Sequence, residues 1–102
     1  MIVSGQLGLV PESGELIEGG TAAELRQALV NGSAVLAEAG ATLGDVVKAT
    51  IFILDMNDFA ACNEVWLDVL SEPLPTRSTV AVAQLPRGAM AEVEFWAYRP
   101  ED

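Results

Sequence analysis

The chain has 102 residues, enough for one domain that buries about two thirds of the surface its unfolded form exposes. Fifteen acidic residues against five basic ones leave a formal charge of −10, which argues against a nucleic-acid partner, since phosphate binding draws on clustered Lys and Arg. The absence of histidine excludes Ser-His-Asp and Cys-His nucleophiles and every histidine-based metal site, and the single cysteine, Cys62, cannot form an intramolecular disulfide and fits a reducing compartment.

Half the residues are apolar and the mean hydropathy is +0.35, high for a small monomer, so apolar surface is expected to be buried against partners. No apolar run approaches the roughly 18 residues that span a bilayer. Met1 leads directly into a strand, with no charged leader or cleavage site, which points to the cytoplasm and away from a membrane. No repeat, linker or low-complexity segment divides residues 1–102, which read as a single domain.

Residues 2–6 read as a short strand. Its Ser4-Gly5-Gln6 places a glycine where the backbone either bulges or comes close to another group. Residues 7–20 form a loop, with a turn at Pro11-Glu12-Ser13-Gly14. The pattern then predicts a helix over residues 21–40, opened by a capping box of Thr21 and Glu24 and closed by Gly40. Leu25, Ala28, Leu29, Gly32, Leu36 and Ala39 recur on one face, which must lie on a sheet. Gly32 inside a helix costs up to about 1 kcal/mol relative to Ala, and close packing of helix on strand is the usual compensation.

Residues 45–54 are the central strand. Val47, Ala49, Ile51 and Ile53 fall on one side, Val46, Thr50, Phe52 and Leu54 on the other, with only Lys48 charged, so both faces call for burial. Two helices can cover one face of a small sheet; the other must then meet another subunit, so an oligomer is expected on these grounds alone. A second helix is predicted over residues 57–70, capped by Asn57 or Asp58, with Phe59, Cys62, Trp66, Val69 and Leu70 as its buried stripe and Asn63 beside it. Cys62 reads as a small core hydrophobe. Asp55 and Asp58 could bind a hard cation, but a solvated loop is the better reading, and no metal is expected. Residues 71–76, with Pro73 and Pro75, form a rigid connector, and the charged tail, residues 99–102, is expected to fray.

The densest conjunction of unusual residue types is in residues 75–97, PTRSTVAVAQLPRGAMAEVEFWA. A strand over residues 77–84 and another over 91–98 flank a turn at Pro86 and Gly88. In the second, Ala91, Val93, Phe95 and Ala97 take one face and Glu92, Glu94, Trp96 and Tyr98 the other. Arg77 opens its strand on a backbone stiffened by Pro75, where a guanidinium either grips a carboxylate with its planar fork or is a solvated edge-strand arginine; spacing alone favours the second. Glu92, among Met90, Ala91 and Val93, is either a surface carboxylate or a group placed to handle a proton or orient a water.

The strings RSTVAVAQLPRGA and AEVEFWA, preceded by DMNDFAACNEVW and VVKATIFI and headed by VSGQLGLVPESGEL, resemble the Rid/YjgF family of reactive-intermediate (enamine/imine) deaminases. The likeness runs in the family's order from Ile2 to about Ala97. The order of elements gives a two-layer α+β sandwich, a mixed sheet with two helices on one face. The resemblance implies a chorismate-mutase-like fold and a homotrimer with clefts between subunits. If the strands carrying Arg77 and Glu92 run in opposite directions, those residues stand near opposite ends of one sheet and cooperate only across an interface.

By that resemblance, Arg77 holds the carboxylate of a short 2-imino or 2-aminoacrylate acid and Glu92 positions the water that attacks it, yielding a 2-keto acid. Ser4, Gly5, Gln6, Phe59 and Thr79 line the pocket, Asn63 stands at its rim, and no cofactor is implied. Two departures from the family pattern stand out. Thr79 occupies a position that is often cysteine, and the sequence opens at the VSGQ strand, without the family's usual upstream strand and its cleft-closing tyrosine. The alternative reading is a non-catalytic trimer that binds small carboxylates or other metabolites. A mutase on the same fold lacks the additional basic residues that a dicarboxylate would want.

Overall fold

The alternation of short strand patterns with two helical ones produces the predicted order of elements in the computed structural model, which describes residues 1–100. They are β1 (Ile2–Leu7), α1 (Thr21–Glu38), β2 (Val46–Ile53), α2 (Phe59–Val69), β3 (Thr76–Ala81) and β4 (Ala91–Ala97). One mixed sheet has the order β1-β4-β2-β3. β4 is antiparallel to both β1 and β2, while β2 and β3 are parallel, joined by α2 as a crossover. Both helices pack on one face, giving a two-layer α+β domain. The core lies between the layers, where Leu25, Leu29, Leu36, Ile51, Ile53, Val93 and Phe95 are fully buried. Gly32 is a point of close approach between helix and sheet: a Cβ there would press into the Phe95 ring, with Cζ only 2.9 Å away.

Several local expectations are corrected by tertiary contacts. Thr21 and Glu24 do not form a capping box. The Thr21 hydroxyl donates to Asp58 Oδ2 at 2.8 Å, and Glu24, 2% exposed, accepts the Met90 N–H at 2.8 Å. Gly20 is the N-cap and has no side chain with which to cap, while both polar side chains are drawn to segments distant in sequence. The C-terminus follows expectation: Gly40 takes φ 77°, its N–H reaches Ala37 O at 3.0 Å, and the Ala41 N–H reaches Leu36 O at 2.9 Å. Ala39 lies beyond the last helical residue and is exposed rather than part of the stripe. The second helix starts later than predicted, after a 3₁₀ turn, Met56–Asp58, capped by Asp55 accepting the Asn57 N–H at 2.9 Å.

Val46, not Val47, joins the buried side of β2, because a register shift between Val46 and Lys48 interrupts the alternation; Ala49, Ile51 and Ile53 are buried as expected. Val65 takes a core position on α2, where Phe59 is exposed and Val69 only partly buried. β3 stops at Ala81, three residues short of expectation. A 3₁₀ turn, Pro86–Gly88, leads to β4 through positive φ at Arg87 (62°) and Gly88 (70°), and Arg87 ties it to the Val10–Gly14 turn by donating to Gly14 O at 2.9 Å. Arg99, assigned to the fraying tail, pairs with Asp45 at 3.2 Å; Glu101 and Asp102 lie outside the described residues. No described helix is long and apolar enough to cross a membrane.

Candidate functional site

Strand pairing decides which face each polar side chain takes. Arg77 is opposite Ala49, which is opposite Phe95, and both of those are buried beneath the helices. Arg77 therefore projects to the helix side of β3, an edge strand, and meets α2. Its Nη1 donates to Asn63 Oδ1 at 2.9 Å, and its guanidinium carbon sits 5.6 Å from the Phe59 ring centroid and 5.5 Å from that of Trp66. Residues 59, 63 and 66 share one stripe of a helix, so α2 presents them together as a cradle. Among the described residues, Arg77 pairs with no carboxylate. Thr79, two residues on, faces the same way opposite Ile51, and its buried hydroxyl has no hydrogen-bond partner among the described residues. Cys62 packs in the core of α2. Burial pushes its thiol pKa up, Asp58 adds to the rise, and Arg77 opposes it.

Glu92 lies on the other face. It pairs with Phe52 across β2 and with Leu7 across β1, among residues that point away from the helices. Between Val3 and Gln6, β1 holds two residues, Ser4 and Gly5, against the single Glu94 of β4. The bulge brings Gly5 under the Glu92 side chain: a Cβ on Gly5 would lie 2.6 Å from the Glu92 carboxyl carbon. A side chain at this position would therefore displace the Glu92 carboxylate from where it now lies. Burial, and then the neighbouring charge of Glu94, raise the Glu92 pKa above the ordinary 4.5. Around it, Lys48 lies over the Trp96 ring at 5.6 Å, and Ile2, Val80 and Trp96 leave apolar surface exposed on a sheet face that no described element covers.

The expectation that Arg77 and Glu92 occupy opposite ends of the sheet is corrected in kind. They are three residues apart along the strands, about 10 Å, and two strand spacings apart, about another 10 Å. The sheet itself also separates them, because they project from opposite faces. Phe59 and Asn63 gather at Arg77, Gly5 gathers at Glu92, and Thr79 is beside Arg77. Ser4 is exposed, and its carbonyl accepts from Gln6 Nε2 at 3.1 Å. Gln6 turns toward a third place, an open cavity of about 450 Å³ between β1, α1 and the Val10–Gly14 turn, lined by Gly5, Leu9, Asn31 and Val35 among others. That cavity is at the β1 edge, whereas Arg77 is on the opposite edge strand. Helical periodicity places Trp66 in the core; its spacing of three from Asn63 is the sign in the sequence that it also meets the guanidinium.

A four-stranded mixed sheet, clothed by two helices on one face and covered by no described element on the other, defines the class: a two-layer α+β domain of chorismate-mutase-like architecture. Residues 1–99 match the family model described as Endoribonuclease L-PSP, and the chain belongs to that family, the Rid/YjgF family. A RutC family protein of Pyrococcus abyssi is 40% identical over 99 residues, covering 97% of this chain and 78% of the relative. The 2-iminobutanoate/2-iminopropanoate deaminase of Mus musculus is 45% identical over 92 residues, 90% of this chain and 68% of the relative. Among solved structures, RidA of the Antarctic bacterium Psychrobacter sp. superposes with a TM-score of 0.92 at 45% identity, over 96% of this chain and 79% of that one. E. coli TdcF with bound serine superposes with a TM-score of 0.89 at 39% identity, over 97% and 80%.

Proposed function

We propose that this single-domain chain hydrolyses short enamine and imine acids of the 2-aminoacrylate/2-iminopropanoate type to 2-keto acids and ammonia, in clefts between the subunits of a homotrimer. The observation that carries the reading is Arg77. One nitrogen of its fork is fixed by Asn63, aromatic rings flank it, and no described carboxylate neutralises it, so its remaining N–H groups are available to grip a substrate carboxylate at two points. Glu92, as the carboxylate, takes a proton from water as the water oxygen bonds to the carbon of the protonated imine, giving a neutral carbinolamine. Glu92 returns that proton to the amine nitrogen. As the C–N bond breaks, the hydroxyl oxygen forms the keto C=O and its proton leaves with the departing nitrogen, giving a keto acid and ammonium, the protonated form of ammonia. Imines hydrolyse readily, so orientation of substrate and water with one assisted proton transfer is sufficient chemistry. No cofactor is called for.

Because Arg77 and Glu92 project from opposite faces, one site takes Arg77 from one protomer and Glu92 from the next, and the uncovered apolar sheet face supplies a surface for that assembly. Relatives named for imine deamination, and the relative solved with a small amino acid, support the substrate class. A charge of −10 with five basic residues weighs against the ribonuclease in the family model's description. The test is release of ammonia and keto acid from enzymatically generated 2-aminoacrylate, with pyruvate binding measured alongside. Acceleration that Arg77→Lys largely removes is the expected result. Tight pyruvate binding without acceleration favours a non-catalytic carboxylate-binding trimer, and wild-type turnover in Arg77→Lys removes Arg77 from the mechanism.

A further inference from the structure

The cradle around Arg77 is asymmetric. Phe59 is 39% exposed and lies at the first turn of α2, whereas Trp66 is 3% exposed and belongs to the buried cluster that includes Cys62 and Val65. Of the three side chains touching the guanidinium, Trp66 alone is locked by the core. An arginine on an edge strand otherwise has several rotatable bonds to sample, and a two-point grip on a carboxylate needs the plane of the fork fixed. Asn63 fixes one nitrogen but leaves rotation about that hydrogen bond. A buried indole 5.5 Å from the guanidinium carbon attracts the cation toward its ring and limits that rotation.

We infer that Trp66 is a positioning residue: its core-locked indole, acting with Asn63, sets the orientation in which Arg77 presents its remaining N–H groups to the substrate carboxylate. This rests on the proposed role of Arg77. It assigns to Trp66 a function separable from packing, because the effect passes entirely through the guanidinium.

The experiment is a double-mutant cycle in the whole protein, reading pyruvate binding by calorimetry and the kcat and KM of imine hydrolysis. The variants are Trp66→Phe, Trp66→Leu, Arg77→Ala and Arg77→Ala combined with each. Loss of the ring in Trp66→Leu is expected to weaken pyruvate binding about two- to thirty-fold and to raise KM more than it lowers kcat. Trp66→Phe keeps a ring and a compact core, and is expected to recover part of that loss. In the Arg77→Ala background, both Trp66 substitutions are expected to change binding by less than about two-fold. Wild-type pyruvate binding in both single Trp66 variants overturns the inference. So do equal losses in the presence and absence of Arg77, which would mark Trp66 as structural only. If Trp66→Leu does not fold, Trp66→Phe alone decides, through the same comparison. Unchanged turnover and binding in Arg77→Ala is a different result: it rejects the proposed function itself.

Discussion

Protomers lacking Arg77 and protomers lacking Glu92 should rescue one another. Within one chain these residues are about 10 Å apart along the strands and about 10 Å across them, on opposite faces, so each single substitution destroys a different half of the proposed site. Removing a positioned proton-transfer group lowers turnover about 10²- to 10⁴-fold, and Glu92→Ala should fall in that range. Arg77→Ala, losing the carboxylate grip, should be comparably poor. When the two inactive proteins are unfolded, mixed in equal amounts and refolded, each cleft of a closed ring draws its Arg77 and its Glu92 independently, so about one quarter of the clefts receive both intact groups. Ammonia release should then recover to about one quarter of the wild-type rate, at least about twenty-fold above either parent. Native mass spectrometry on protomers of different mass verifies exchange. A fully exchanged mixture no more active than its parents would refute the shared site and the reasoning from sheet faces behind it.

Gly5→Ala should abolish most turnover while leaving the fold intact, since the added methyl displaces the far end of the Glu92 side chain rather than backbone; circular dichroism and the imine assay read the two effects separately. Activity should fall on acidification with an acid limb above the ordinary glutamate value of 4.5, and Glu94→Gln should move that limb down by removing the like charge. A raised carboxylate pKa in the folded state stabilises the protonated form, a contribution complete below the unfolded pKa and lost as pH rises through the folded one. Glu92→Gln should therefore gain stability relative to wild type as pH rises through that same window, in thermal melts from pH 4 to 8. Thr79→Val should raise stability by about 1 kcal/mol in urea titrations, because it removes a buried hydroxyl without a partner.

The order of elements was legible because each hydrophobic period is long enough to identify, and β4 was read correctly on both faces because Ala91, Val93, Phe95 and Ala97 alternate strictly with polar or amphipathic residues. Gly32 was legible as a close-packing glycine, and Gly40 as a helix terminator. What failed were local polar motifs with a stronger partner elsewhere. Thr21 and Glu24 have capping-box spacing, yet Asp58 and the Met90 N–H compete for them from 37 and 66 residues away. Strict alternation groups Val47 with Ala49, Ile51 and Ile53, and a bulge carries no reliable mark in apolar residues. At the site, the spacing of Phe59, Asn63 and Trp66 was visible, but what their stripe faces depends on where β3 enters the sheet.

That dependence identifies the structural choice on which the shared site rests. Side chains alternate along a strand, so a one-residue slip of β3 against β2 would send Arg77 to the open face, the face that Glu92 occupies. The two groups would then belong to one surface of one protomer, and Phe59, Asn63 and Trp66 would lose the guanidinium. The observed register, Arg77 opposite Ala49 and Thr79 opposite Ile51, instead sets both residues toward α2. A slip would break the Asn63 bond and both aromatic contacts while placing the charge on the open face, where Trp96 exposes apolar surface otherwise available for assembly. Under the proposed function, the same pairing that completes the sheet therefore calls for a neighbouring protomer to bring Glu92 to Arg77.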